Sequence, residues 1–204
     1  MMSNRKPLVK VCGLSTANDV QVAIDHGADA LGFVLTSSAR EITPEDAAPL
    51  VRMVPEGIET VAVFRSEDIP TVVARSREAG VGWVQLHGQR SKLDVAAAHA
   101  AGFKVIRAVR RDAIAEEFAD WGEELLLIDA SVPGSGESWD YAAVRELATG
   151  RQWLVAGGLT PMNVAEAIKI SGATGADVSS GVESSRGVKD PGLIAQFLDA
   201  AKAV

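Results

Sequence analysis

The stretch WLVAGGLTPMNVAEAIKISGATGADVSSG, residues 153–181, contains the repeating pattern that decides the fold. A short apolar run, WLVAGG, is followed by the Ala-rich amphipathic segment TPMNVAEAIKISG. In this segment Thr160 is a candidate N-cap, Pro161 a candidate first helical residue, and Gly172 a typical helix end. A second apolar run, ADVSSG, then begins. The stretch therefore predicts a strand, a helix and a second strand.

The same unit recurs along the chain. Eight apolar runs alternate with amphipathic segments, and the runs are PLVKV, ALGFVL, TVAVF, VGWVQLHG, FKVIRAV, ELLLID, WLVAGG and ADVSSG. The helices that we predict after the fifth and sixth runs are DAIAEEFADWG, residues 112–122, and DYAAVRELA, residues 140–148. Continuous rather than alternating apolar runs are typical of parallel strands covered on their outer side.

Eight consecutive strand–helix units without a long linker predict an α/β protein with one domain, a (β/α)8 TIM barrel spanning residues 1–204. The alternative is an open doubly wound sheet, which usually has fewer units. The first run is not followed by the G-x-G-x-x-G motif that such sheets often carry. We therefore expect the barrel.

Composition limits the possible partners. Hydrophobic residues make up 47% and charged residues 23%, and the net charge of −7 disfavours nucleic acid and anionic membranes as partners. A small anionic ligand remains possible, because a few local donors can outweigh a distant net charge. The single cysteine, Cys12, cannot form an internal disulfide, and no apolar run has the signal-peptide or membrane-span pattern. We expect a cytoplasmic monomer.

In a barrel enzyme the chemistry lies at the carboxyl ends of the strands. Small residues follow the last two strands, at Gly157–Gly158 and at Ser180–Gly181. Their backbone N–H groups could bind a phosphate, as the turns after strands 7 and 8 do in many barrels. The alternative is that these turns are tight and need glycine for conformational reasons alone.

Two ionisable side chains end the first and sixth strands, Cys12 and Asp129. A thiolate can act as a general base, and a carboxyl at the end of a buried strand can have a raised pKa and act as an acid. Together they could form an acid–base pair that needs neither metal nor cofactor. The alternatives are a small buried cysteine and an aspartate that caps a turn.

Arg40 and His87 lie in the loops after the second and fourth strands. The Arg40 guanidinium suits a carboxylate, and its alternative is a solvated loop arginine. His87 could contact substrate or orient its loop. His26 and His99 are expected on exposed helix faces, so the three histidines do not predict a metal site. The fifth strand is expected to end near Arg107.

Taken in order, the motifs resemble a known family. They are KVCG (10–13), GFVL with SSAR (32–40), VQLHG (84–88), IDA with GSGESWDY (128–141), AGGLTPMNV (156–164) and DVSSGVESSRGVKD (177–190). This set is similar to the phosphoribosylanthranilate isomerases of tryptophan biosynthesis, nearly from end to end. The resemblance implies conversion of N-(5-phosphoribosyl)anthranilate to 1-(2-carboxyphenylamino)-1-deoxyribulose 5-phosphate by an Amadori rearrangement, without metal or cofactor.

The resemblance also implies residue roles. Cys12 would be the general base, Asp129 the general acid and Arg40 the partner of the anthranilate carboxylate, and the phosphate would lie at Gly157, Gly158, Ser180 and Gly181. The sequence departs from the family at Ala39, where a proline is typical, and at Arg65, where VFRS replaces VFVN. The segment after Asp129, with SWDY, also differs.

Two alternative functions remain open. One is a related sugar isomerase of histidine biosynthesis, or a dual enzyme of both pathways, but such enzymes use an aspartate where this chain has Cys12. The other is a non-catalytic phosphosugar-binding barrel, which would not need both Cys12 and Asp129. Turnover of the histidine-pathway substrate, or binding without turnover, would distinguish them.

Overall fold

A computed structural model describes residues 6–130, 139–147 and 150–204. The GSGES part of the motif after the sixth strand, residues 134–138, lies outside the described residues.

The eight predicted strands form a closed parallel barrel, which confirms the predicted fold class. Each strand pairs with the next along the chain, and β8 pairs with β1 to close the ring. The strands are β1 Leu8–Cys12, β2 Ala30–Val34, β3 Glu59–Phe64, β4 Trp83–Leu86, β5 Lys104–Arg110, β6 Leu125–Asp129, β7 Trp153–Val155 and β8 Gly175–Val178. A two-stranded antiparallel hairpin follows β8, and its strands are β9 Glu183–Ser185 and β10 Val188–Lys189.

In the described part of the chain, six α-helices pack around the barrel. They are α1 Ala17–Asp25, α2 Pro44–Val51, α3 Ile69–Ala79, α4 Lys92–Ala100, α5 Val164–Ser171 and α6 Pro191–Lys202. None of them is long and apolar enough to cross a membrane within the described ranges.

The start of α5 differs from the prediction. The helix begins at Val164, so Pro161 is not its first residue and Thr160 is not its N-cap. Instead, the Asn163 side chain accepts a hydrogen bond from the Thr160 N–H at 2.7 Å and donates one to the Gly158 carbonyl at 2.9 Å. Asn163 therefore braces the turn that follows β7.

The helices predicted after β5 and β6 are also wrong. The chain forms short 3-10 helices there, at Ala115–Phe118 and Tyr141–Val144. After β5 the physical reason is Arg107, which donates to the carbonyls of Glu117 at 2.6 Å and Ala119 at 2.7 Å. An α-helix would use such carbonyls for its own hydrogen bonds.

Arg107 itself lies inside β5, which continues to Arg110, so the expected strand end was misplaced. Its neighbours Ile106 and Ala108 belong to the apolar cluster inside the barrel, so Arg107 faces outward. Its side chain is buried by Glu123, 2.7 Å away, and by the Trp121 ring, 4.0 Å away. Arg107 therefore attaches the irregular segment after β5 to the barrel wall.

The inside of the barrel changes character along its axis. Its lower part is an apolar cluster of Ala30, Val61, Trp83, Ile106, Ala108, Leu125, Leu127, Leu154 and Ala156. Towards the carboxyl ends of the strands the buried interior becomes polar, with Lys10, Gln85, Asp129 and Asp177. Because buried polar groups destabilise a core unless they are paired, this end of the barrel is the candidate functional site.

Candidate active site

Four of the predicted residues line one cavity at the carboxyl ends of the strands: Cys12, Arg40, His87 and Asp129. An adjoining hollow between β7 and β8 is lined by Asp129, Gly157, Gly158, Ser180 and neighbouring residues. The structure thus brings the acid–base candidates and the small-residue turns to the same end of the barrel.

Cys12 is the last residue of β1 and is only 6% exposed; it packs in a small apolar cluster with Val34 and Val63, and this cluster lines the cavity. Its sulfur packs over Gly32, where a Cβ atom would lie 3.0 Å from Sγ. Burial raises the pKa of Cys12, and the positive charges of Lys10 and Lys189 act against that rise. The thiol is therefore buried but has cations close by.

Asp129 is the last residue of β6 and is 9% exposed. Its Oδ1 accepts a hydrogen bond from the Ala130 N–H at 2.8 Å. Burial, assisted by the negative charge of Asp177, raises the pKa of Asp129 to about 6. A carboxyl with a pKa near 6 can both give and take a proton close to neutral pH.

The turns after β7 and β8 leave no room for a side chain at Gly157 or at Gly181. Gly157 has a φ of +82°, and a Cβ there would lie 2.7 Å from Asp129 Oδ1. A Cβ on Gly181 would lie 1.7 Å from the Leu159 carbonyl oxygen. Gly157 and Gly158 therefore have the positive φ that favours glycine, whereas Gly181 is required by its close contact with Leu159. Neither constraint decides whether the hollow between the turns binds phosphate.

Arg40 is not a solvated loop arginine. Its Nε and Nη2 donate to the two carboxylate oxygens of Glu183 at 2.5 and 3.1 Å. Lys189 Nζ also donates to Glu183, at 3.0 Å, and to the Ser179 carbonyl, at 2.7 Å. Burial acts to raise the pKa of Glu183, but Arg40 and the other donors hold it at about 2. The hairpin after β8 thus fixes Arg40 at the cavity.

His87 is a neutral imidazole. Burial lowers its pKa to about 3, and the nearby cations Lys10, Arg65 and Arg90 contribute. Its Nε2 lies 2.5 Å from Gln85 Nε2, so the two side chains form a buried pair at the cavity wall. Sequence reasoning did not identify Gln85 as a site residue.

A buried ion pair was also missed, and its Asp177 carboxylate lines the cavity. Lys10 has no exposed surface, and its Nζ lies 2.7 Å from Asp177 Oδ1. Burial alone would lower the pKa of Lys10, but Asp177 and Cys12 outweigh it and raise that pKa. The sequence could have identified Lys10, because side chains alternate along a strand and Lys10 therefore lies on the same inward face as Cys12.

The remaining histidines lie elsewhere. His26 follows α1 and contacts Asp199, and His99 lies in α4 and contacts Glu124, both at 3.0 Å. Within the described ranges no three His, Cys, Asp or Glu residues cluster as metal ligands would.

The comparisons with known proteins agree on one family. The sequence profile of N-(5'phosphoribosyl)anthranilate (PRA) isomerase matches residues 9–200. A relative from Roseiflexus sp. (strain RS-1), an N-(5'-phosphoribosyl)anthranilate isomerase, is 41% identical over 213 residues, covering 96% of this chain and 97% of its own.

Solved structures give the same result. Phosphoribosyl anthranilate isomerase from Thermus thermophilus is similar with a TM-score of 0.89 and 33% identity, over 96% of this chain and 98% of that one. A phosphoribosyl anthranilate isomerase in complex with reduced 1-(o-carboxyphenylamino)-1-deoxyribulose 5-phosphate is similar with a TM-score of 0.83 and 30% identity. This match covers 97% of this chain and 100% of that one.

Proposed function

The chain belongs to the N-(5′-phosphoribosyl)anthranilate isomerase family and catalyses this isomerisation in tryptophan biosynthesis, and we propose that Cys12 and Asp129 perform its proton transfers. The observation that carries this proposal is their common cavity: a thiol close to cations and a carboxyl with a pKa near 6 face the same space. An aldose–ketose rearrangement needs one group of each kind.

Asp129 is the general acid in this mechanism. It gives its proton to the ribose ring oxygen, the C1′–O bond breaks, and the anthranilate nitrogen lone pair forms a Schiff base at C1′. With a pKa near 6, about one Asp129 in ten carries the proton at pH 7. This population is small, but the acid is correspondingly strong, which favours proton transfer in the transition state.

Cys12 is the general base. Its thiolate takes the proton from C2′, and the electrons of that C–H bond form the C1′–C2′ double bond of an enolamine while the Schiff-base nitrogen becomes neutral. The enolamine then tautomerises to the ketone of 1-(2-carboxyphenylamino)-1-deoxyribulose 5-phosphate. These steps are proton transfers with no net change in oxidation level, and we propose that they proceed without metal or cofactor.

Binding groups hold the two ends of the substrate. We assign the phosphate to the hollow lined by Gly157, Gly158 and Ser180, with Gly181 the next residue of the same turn, and the anthranilate carboxylate to Arg40. The neutral His87 also lines the cavity that contains Arg40. Fixing both ends keeps the reacting carbons between acid and base, and such positioning contributes much of the rate in enzymes.

We propose that residues 1–204 act as one catalytic domain and as a cytoplasmic monomer. The closed barrel supports the monomer because its ring of eight strands has no unpaired edge to associate with another chain. The net charge of −7 disfavours nucleic acid and anionic membranes as partners.

The test is fluorescence-monitored turnover of freshly generated phosphoribosylanthranilate. Cys12→Ser and Asp129→Asn should each lose at least about 100-fold in kcat, the typical contribution of one acid or base. Both should still bind reduced 1-(o-carboxyphenylamino)-1-deoxyribulose 5-phosphate by titration calorimetry. Asp25→Asn, an exposed carboxylate on α1, is the matched control. Near wild-type turnover in either site variant would remove that residue from the mechanism.

A further inference from the structure

The buried ion pair of Lys10 and Asp177 lies directly beneath the proposed base. We propose that Lys10 is a positioning residue: its ammonium, anchored by Asp177, is the cation that lets Cys12 act as a thiolate. The inference rests on the proposed role of Cys12. It gives Lys10, which lies in the barrel interior, a role in the reaction that does not depend on contact with substrate.

Lys10 and Cys12 share the inward face of β1. Lys10 and Cys12 are two residues apart on β1, so both side chains point into the barrel. They meet over Gly32 of β2, the residue in register with Cys12. A Cβ on Gly32 would lie 3.0 Å from Cys12 Sγ and 3.1 Å from Lys10 Nζ, so the sulfur and the nitrogen can be no more than about 6 Å apart. The missing side chain makes room for both.

Asp177 anchors the ammonium of Lys10 inside the barrel. Lys10 Nζ lies 2.7 Å from Asp177 Oδ1, and both residues are buried. A flexible lysine normally keeps its ammonium in water, so a fixed carboxylate is needed to hold the charge inside the barrel. A pair of apolar residues could fill the same space without the desolvation penalty. An apolar pair could not stabilise a thiolate, however.

Other charged groups also act on Cys12. Lys10 attracts the thiolate more strongly than Asp177 repels it. Lys189 of β10 and Arg40 also face this region and share one carboxylate, Glu183, so this cluster is a second source of positive charge. Lys189 acts on Cys12 less strongly than Lys10 does, and Lys10 has no exposed surface through which solvent could screen its charge.

The experiment uses the fact that Cys12 is the only cysteine. The rate of iodoacetamide alkylation, followed against pH, reports the titration of this thiol without interference. The test variant is Lys10→Met with Asp177→Asn, which removes both charges and leaves neither unpaired. The matched control is Lys202→Met with Asp29→Asn, an ion pair between α6 and the start of β2.

In the test variant the midpoint of the alkylation profile should rise by at least about one pH unit, which slows alkylation near neutral pH about tenfold. The acidic limb of kcat/KM should move with it, while the Kd of reduced 1-(o-carboxyphenylamino)-1-deoxyribulose 5-phosphate stays within about threefold. The control should keep the wild-type profile. A folded test variant with an unmoved midpoint overturns the proposal, even if its activity is low.

If the test variant does not fold, Gly32→Ala replaces it. The new methyl group would press on both Sγ and Nζ and separate them, so the same rise of the midpoint is expected, and an unmoved midpoint again overturns the proposal. Failure of the proposed function looks different: Cys12→Ser would then keep its turnover, whatever Lys10 does to the alkylation midpoint.

Discussion

Replacing Asp129 with asparagine should stabilise the folded protein at pH 8 while it lowers kcat at least about 100-fold. Burial and the charge of Asp177 raise the pKa of Asp129 from 3.8 to about 6. Between these values the folded protein binds more protons than the unfolded chain, so stability falls as pH rises from about 4 to 6. At about 1.4 kcal/mol per unit, the carboxylate costs about 3 kcal/mol of stability above pH 7. Asparagine carries no charge and avoids this cost.

Urea unfolding of the wild type and Asp129→Asn, at pH 4.5 and pH 8, measures the effect. The stability of the variant relative to the wild type should be about 2 kcal/mol more favourable at pH 8 than at pH 4.5. The value is below 3 because the carboxylate already contributes part of its cost at pH 4.5. Comparing two pH values cancels any constant effect of the amide, and Asp25→Asn controls for the substitution. A difference that is the same at both pH values would refute the reasoning.

Two further variants test the rim of the cavity. Gly181→Ala would place a Cβ 1.7 Å from the Leu159 carbonyl and push the turns apart, so calorimetry should show at least about tenfold weaker binding of the reduced product, whereas Gly82→Ala, with open space around it, should bind normally. Unchanged binding in Gly181→Ala would contradict the assigned phosphate hollow. Arg65→Asn removes an exposed cation from the cavity wall, and steady-state kinetics should show a KM raised about threefold with little change in kcat. A loss confined to kcat would show that Arg65 acts on the chemistry instead.

The strands of the barrel could be predicted because each is a continuous apolar run, and this pattern depends only on local sequence. The segments after β5 and β6 could not. DAIAEEFADWG has the composition of a helix, but its backbone carbonyls are bound by Arg107 from the neighbouring strand. Such a competitor comes from tertiary structure, and local propensity does not contain it.

The position of the site at the strand ends could be predicted for the same reason that the barrel could. Once the strands are known, Cys12 and Asp129 must face one another across its mouth. The partners of these residues could not be predicted, because they come from distant parts of the chain. Asp177 is 167 residues from Lys10, and Glu183 is 143 residues from Arg40. Their charges show that partners must exist, but only the closed barrel identifies them.

The pairing of Arg40 with Glu183 also changes how a carboxylate would bind. Glu183 uses the Nε and Nη2 atoms of Arg40, so Nη1 is the guanidinium nitrogen not used in this pair. Lys189 donates to the same carboxylate and to Ser179, which gives its ammonium an acceptor for each proton. Two cations then face one carboxylate, and the cluster keeps one positive charge. A substrate carboxylate would bind the Nη1 side of a prealigned guanidinium with net attraction, while Glu183 holds the Nε and Nη2 atoms in place.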